Sequence, residues 1–181
     1  MPFTITQFRS EISKQKNLAR PNLFEVNVTG RTGAIATMTP FMAKIASIPP
    51  STMGVVEVPY FGRQVKVPGN RTFDNLSITI LNDENFSIRN QIEAWMATMN
   101  SHVGNVQGDT LASLTTNTSV TIKHYGVAGG NDSLGEWKFV NCFPVALGEI
   151  ALDWGSNDTV EEYTVDWAYD YWTHAGGAGS S

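Results

Sequence analysis

Histidine, cysteine and carboxylate side chains are the groups in this 181-residue chain that could move protons, attack carbonyls or hold metals. The histidines, His102, His124 and His174, share no metal-binding spacing and sit beside no carboxylate pair, so the pattern of a zinc site is missing. Cys142 stands between Val140 and Phe143 in an apolar stretch and reads as a small buried hydrophobe rather than a nucleophile. Gly126-Val-Ala-Gly129-Gly130 follows a strand-like stretch, as a phosphate cradle would. No helix opens after it and no Gly-Lys-Ser/Thr occurs, which leaves a hairpin turn. Asp153-Trp-Gly-Ser-Asn-Asp158 is oxygen-rich like a calcium loop, but its Gly is out of place and no Glu takes the twelfth position; an Asx-type turn explains it. Asp153, Asp158, Glu161, Glu162, Asp166 and Asp170 could supply a glycosidase pair, yet nothing sets two of them at the separation that chemistry needs. Trp154, Trp167, Tyr169 and Trp172 read as a sugar-stacking platform or, more simply, as core and interface aromatics. The residues thus offer no catalytic site, no cofactor site and no metal site.

The elements that would position these groups are mostly strands. Thr4 to Leu18 reads as a short amphipathic helix, with Phe8 and Ile12 one turn apart and Thr4 as its cap. Asn22 to Val28 alternates with Phe24, Val26 and Val28 on one face, and Gly30 to Gly33 closes it. Thr37 to Ile48 is apolar and weakly alternating before Pro49-Pro50, and a long projecting loop is expected there. Val55 to Val58 and Gln64 to Val67 flank Pro59 to Arg63 as a hairpin, with Pro68-Gly69-Asn70 as the next turn and a strand at Leu76, Ile78 and Ile80. A helix follows Asn82-Asp83-Glu84, its stripe being Ile88, Ile92, Trp95 and Met99. Further strands are expected at Val120 to Tyr125, Lys138 to Phe143 and Val145 to Leu152. A last strand sets Tyr163, Val165, Trp167, Tyr169 and Tyr171 against Glu162, Thr164, Asp166, Ala168 and Asp170, one face aromatic and the other carrying acids. The expected fold is mainly β (α+β by content): an antiparallel sandwich or open barrel with one packed helix and a short N-terminal helix. A single domain over 1–172 and a loose tail over 173–181 complete it.

Composition bounds the class. Twelve Lys+Arg against 17 Asp+Glu give a net charge of −5, and 41% of the residues are hydrophobic. A chain of this length buries roughly two-thirds of its unfolded surface and needs no disulfide or metal for its core. No apolar run of about 18 residues occurs and Met1 to Arg20 has no signal-like apolar region, so the expectation is no membrane contact and a cytoplasm-like compartment. The acidic balance argues against tight binding to phosphate backbones.

Beyond this physical reading, several blocks in fixed order carry a resemblance: Leu18-Ala-Arg-Pro-Asn-Leu-Phe24, Val67-Pro-Gly-Asn-Arg-Thr-Phe-Asp74, Asn82-Asp-Glu84 with the Trp95 helix, Gly148-Glu-Ile-Ala-Leu-Asp-Trp154 and Asp170-Tyr-Trp172. In these the chain resembles the tail tube proteins of contractile-tailed bacteriophages. The resemblance implies a structural, non-enzymatic subunit of the virion, assembled in the host cytoplasm. Its strands would complete a hexameric β-barrel, and its rings would stack into a tube inside the tail sheath, meeting baseplate and tail terminator, with DNA passing without specific binding. A related implication is the tube of a bacterial contractile injection or type VI-like device. From a different class, a carbohydrate-binding sandwich would use Trp154 and Trp172 as its platform.

Within a tube, residues 149–172 hold Glu149, Asp153, Asp158, Glu161, Glu162, Asp166 and Asp170 and no Lys or Arg. An acidic lining avoids drag on DNA, so Glu162, Asp166 and Asp170 are expected to face the lumen; the same face could equally meet a basic patch of the sheath. Contact between rings is expected from Ile48, Pro49, Pro50, Ser51, Thr52 and Met53, a preordered apolar projection. Basic Arg9, Lys14, Lys16 and Arg20 are expected to meet acidic surface on the adjacent ring.

Overall fold

The computed structural model describes residues 4–14, 18–31, 33–108, 118–127 and 133–175. Among the described residues ten strands and four helical segments follow in order, and every strand pairing among them is antiparallel.

Helix α1 (Ile5–Lys14) opens on a reciprocal cap. The Gln7 amide donates to Thr4 Oγ1 at 3.3 Å while the Thr4 amide donates to Gln7 Oε1 at 3.2 Å, so two otherwise orphaned donors satisfy each other. None of its residues is buried, and Ile5 and Phe8 face solvent.

Strands β1 (Phe24–Thr29), β6 (Ser119–Tyr125), β7 (Ser133–Val140) and β10 (Tyr171–Ala175) form sheet 1 in the order β1-β6-β7-β10. Strands β2 (Ala43–Ser47), β5 (Leu76–Leu81), β9 (Glu162–Ala168) and β8 (Phe143–Leu147) form sheet 2 in the order β2-β5-β9-β8. The alternation visible in the sequence fixes which face each sheet buries. Val26, Val28, Val120, Ile122 and Phe139 point inward from sheet 1, and Leu76, Ile78, Ile80, Tyr163, Val165 and Trp167 from sheet 2. Each such side chain contributes about 1.5–3 kcal/mol on burial, and together they make one core. Helix α4 (Ser87–Met99) adds Ile88, Ile92 and Trp95, the last with its ring 5.6 Å from that of Trp167. Its first free donor is met as the acids before it predict: the Ser87 amide donates to both carboxylate oxygens of Asp83, at 2.9 and 3.2 Å.

Five expectations need correction. The stretch after Thr37 is not extended throughout: α2 (Ala34–Thr37) and α3 (Thr39–Met42) are single helical turns leading into β2, and Thr39 is held by its hydroxyl donating to Ile35 O at 2.6 Å. The projecting element is not a loop at Ile48 to Met53. Strands β3 (Ser51–Tyr60) and β4 (Arg63–Phe73) make a sheet of their own in which Ser51, Thr52 and Met53 pair with Phe73, Thr72 and Arg71. Pro68-Gly69-Asn70 therefore lies inside a strand rather than in a turn. A two-stranded ribbon has only edges, so a proline without its N–H is tolerated there. The register shifts between Met53 and Val55, where the backbones close in: a Cβ on Gly69 would stand 3.1 Å from the Gly54 carbonyl.

The expected single last strand is two strands in different sheets. Strand β9 ends at Ala168, the chain crosses at Tyr169–Asp170, and β10 begins at Tyr171. The alternation changes phase at this corner, since Trp167 points in but so does Trp172, with Tyr171 exposed between. Period-2 patterning carries no mark of such a crossing. Finally, β10 pairs through Ala175 with Glu136, so ordered structure runs past the boundary drawn at Trp172; the rest of the expected tail, 176–181, lies outside the described residues.

Candidate functional site

The described residues form no group of three or more His, Cys, Asp or Glu able to hold a metal, and none of their helices is long and apolar enough to cross a membrane. Burial pushes the Cys142 thiol up to about 12, and its Sγ donates to Phe139 O, so it behaves as a packed hydrophobe. The Asp153 side chain accepts from the Gly155 amide at 2.9 Å, the Asx-type turn its sequence suggests. Trp154 and Trp172 do not form a platform: Trp154 stands fully exposed, whereas Trp172 packs with its ring 6.3 Å from Phe73. The remaining features are surfaces suited to contact.

The first is the outward face of sheet 2. Register places Ser77 opposite Asp166, Thr79 opposite Thr164 and Leu81 opposite Glu162, with Ile45 and Ser47 of β2 beside Thr79 and Ser77. Glu162 and Asp166 therefore share this face, four residues apart on one strand. Lys44 is the cation at its rim and is paired with Glu162. Asp170 does not join them; it sits at the corner, accepting from Asn141 Nδ2 at 2.6 Å. Sheet 1 presents a different outward face, with Glu25, Lys123 and Glu136 in one row and Lys138 in the next. There the Tyr125 hydroxyl and Asn27 donate to Glu25 and hold its carboxyl below the usual range.

Sheet 2 also has two open edges, β2 and β8, each five residues long. Pro144 lies in β8, where a missing N–H is tolerated because the outer side has no partner strand among the described residues.

The second surface is the β3–β4 hairpin. Val56, Val58 and Tyr60 face Val67, Val65 and Arg63 across the ribbon, and all of them are exposed. The opposite side carries Glu57 and Lys66, 3.8 Å apart. At the tip, Phe61 (φ 45°) and Gly62 (φ 74°) both adopt positive φ, the requirement of a two-residue turn that matches strand twist. The Phe61 ring is 88% exposed and meets Tyr60 edge-on at 4.6 Å. The base is clamped: Tyr169 donates its hydroxyl to Asp74 O at 2.6 Å, and its ring lies 6.1 Å from Phe73.

The third is the connection 148–161 from β8 to β9. It presents Leu152, Trp154 and Val160 to solvent beside Asp153 and Asp158. A 320 Å³ cavity within it is lined by Leu152, Asp153, Val160, Glu161 and Glu162 among others. Glu161 Oε2 accepts from Asn82 at 3.0 Å while its Oε1 is buried without a partner.

The residues expected to join rings are scattered over these parts. Ile48 and Pro50 are exposed, Pro49 is buried, and Ser51 to Met53 begin β3. Arg9, Lys14 and Arg20 are exposed, Lys14 being paired with Glu11 at 2.5 Å; Lys16 lies outside the described residues. Sequence reasoning missed the hairpin's length. Its signal is the alternation that continues on both sides of Pro68, a residue that on its own reads as a stop.

Comparison with known proteins places this arrangement. Residues 6–175 match the family described as phage tail tube protein. The chain is 27% identical over 156 residues to tail tube protein gp19 of Enterobacteria phage T4, covering 86% of this chain and 91% of that one. Among solved structures it is similar to a chain of an extracellular contractile injection system sheath-tube complex in the extended state, with a TM-score of 0.64, 16% identity and coverage of 96% and 99%. It is also similar to a chain of the anti-feeding prophage baseplate, with a TM-score of 0.66, 17% identity and coverage of 88% and 97%. At these identities the two structures speak to the fold alone.

Proposed function

The chain belongs to the phage tail tube protein family, a structural and non-enzymatic subunit of the tail, and we propose that six copies join edge to edge through sheet 2 into a ring whose inner wall is one continuous barrel. The observation that carries this reading is strand direction. All pairs in the order β2-β5-β9-β8 are antiparallel, so β2 and β8 run in opposite directions. Rotation about an axis along the strands brings β8 of one copy beside β2 of the next, and the antiparallel ladder continues without a break. Closure removes both open edges, which otherwise invite uncontrolled pairing.

The outward face of sheet 2 then lines the lumen, with Glu162 and Asp166 on the wall. Duplex DNA carries about one negative charge per 1.7 Å, and unpaired cations on the wall would hold it. On this face the cation Lys44 is already paired. Repulsion reaching about 8 Å at physiological salt keeps DNA off the wall without blocking it. Asp170, at the corner between the sheets, is left out of this lining. The mixed-charge face of sheet 1, with Lys123 and Lys138, turns outward to the sheath. Baseplate and tail terminator meet the two ends of the tube, assembly takes place in the host cytoplasm, and no membrane is involved. The fold is shared with injection-system chains, and a ring built in this way could equally serve such a device.

Cysteine pairs along the two edges, such as Ile45→Cys with Val145→Cys, test the ring. Oxidation of assembled protein gives a covalent ladder that ends at six copies. A product that never exceeds one copy, in assembled protein and with several pairs tried, overturns edge pairing.

A further inference from the structure

Each open edge of sheet 2 is tied down by a cation, one from within the sheet and one from outside it. Lys44, in β2 itself, pairs with Glu162 of β9. The other tie is Arg89, which stands on α4 beside the buried stripe of Ile88, Ile92 and Trp95 without belonging to it. Its guanidinium donates through Nη1 to the Gly148 carbonyl at 3.1 Å and through Nε to Glu93 Oε1 at 3.2 Å, and its Cζ lies 5.2 Å from the centre of the Tyr163 ring. Only 19% of that side chain is exposed. Arginine suits the place, since one planar group serves a carbonyl, a carboxylate and an aromatic face at once.

Gly148 is the residue at which β8 stops. Leu147 makes the last pair with β9, opposite Val165. One step on, the Gly148 amide still donates to Thr164 O at 2.7 Å while its carbonyl accepts from Arg89. A Cβ there would stand 2.8 Å from the Thr164 carbonyl oxygen, so glycine is the residue that fits. Helix α4 packs against β8. The end of this edge strand is therefore fastened on one side to its own sheet and on the other to the helix.

We propose that Arg89 is the positioning residue of the ring joint. By holding the Gly148 carbonyl it fixes where β8 ends and how the strand lies against α4, and so presents the free side of Phe143–Leu147 in the orientation that β2 of a second copy continues. Glu93 orients Arg89 in turn. This role rests on the ring reading above and names what sets the edge. A closed ring repeats one joint, so an error in the direction of the edge recurs in every copy and adds up around the circle. A charge-assisted bond largely screened from water is a strong tie for a strand that its own sheet holds on one side alone.

Arg89→Met keeps the stem over Tyr163 and removes the donors. The free subunit is expected to stay folded, with the amides of β5 and β9 as slow to exchange as in the unaltered protein, while the Gly148 amide loses protection. In negative-stain images the concentration at which half the protein forms rings rises about tenfold, the loss expected for a hydrogen bond to a charged donor. Arg89→Lys, which still reaches the carbonyl, restores most of it, and Glu93→Gln costs about twofold. Gly148→Ala displaces the same strand end from the other side and raises the concentration as much as Arg89→Met. Rings from Arg89→Met at the unaltered concentration overturn the proposal, as does failure of Arg89→Lys to recover them. Should Arg89→Met not fold, Gly148→Ala decides: a folded subunit with the raised concentration upholds the proposal, and rings at the unaltered concentration overturn it. If the edge-cysteine ladder fails in the unaltered protein, the ring reading falls and this role with it. An intact ladder beside normal rings from Arg89→Met removes this role alone.

Discussion

The sandwich and the hairpin are built from the same kind of strand, valine-rich and alternating, and they end in opposite states. In sheet 2 the alternate residues Leu76, Ile78 and Ile80 are buried beside Trp167, Val165 and Tyr163 in the core shared with sheet 1 and α4. In the hairpin Val56, Val58, Val65 and Val67 face solvent although every one is paired across the ribbon. Alternation determines which side chains share a face; it does not determine what covers that face. The inner faces of the sandwich are covered by its own chain. The hairpin's valines are uncovered in the free subunit, and a two-stranded ribbon alone is marginal in water.

This contrast can be broken in graded ways. Trp167→Ala, at a position 1% exposed, removes the largest fully buried side chain and is expected to cost about 3–5 kcal/mol in chemical denaturation of the free subunit. The parallel change on the hairpin, Val58→Asp, is expected to shift that same curve by no more than about 0.5 kcal/mol. It abolishes tubes in negative-stain images all the same. If Val58→Asp destabilises the free subunit as much as Trp167→Ala does, the hairpin is covered within its own copy and the contrast is lost. Asp83→Ala, which removes the acceptor for the Ser87 amide at the start of α4, is expected to lower subunit stability by about 1 kcal/mol with tube length unchanged.

The smallest expected effect concerns pH. The Tyr125 hydroxyl first, and Asn27 second, hold the Glu25 carboxyl below its ordinary 4.5. A carboxyl lowered by folding contributes stability that is full above the unfolded value and is lost as pH falls through the folded one. Tyr125→Phe is therefore expected to raise the Glu25 pKa in an NMR titration and to narrow the stability difference between neutral and acid solution. An unchanged Glu25 titration would show that Tyr125 does not set it.

Much of this was legible in the residues. Ile88, Ile92 and Trp95 at helical spacing marked the buried stripe of α4, and Phe24, Val26 and Val28 the inner face of β1. The absence of metal spacing and of a catalytic pair pointed away from chemistry. What the sequence did not reveal has a physical pattern. The crossing at Tyr169–Asp170 keeps aromatic residues on both sides of it, so a period of two runs through without a visible break. Pro68 signals a stop only where a strand needs its N–H, and in a ribbon with two edges it does not. Of the three acids expected in one row, Asp170 left the row for the first of these reasons, while Glu162 and Asp166 stayed on one strand face.

The account's central claim is that sheet 2 is finished by neighbouring copies, and hydrogen exchange on free subunit and assembled tube tests it most directly. Amides of β5 and β9, already paired on both sides, are expected to be protected in both states, whereas those of Ala43–Ser47 and Phe143–Leu147 that face the open edges become protected only on assembly. Edges that exchange equally fast in the tube and in the free subunit would contradict it.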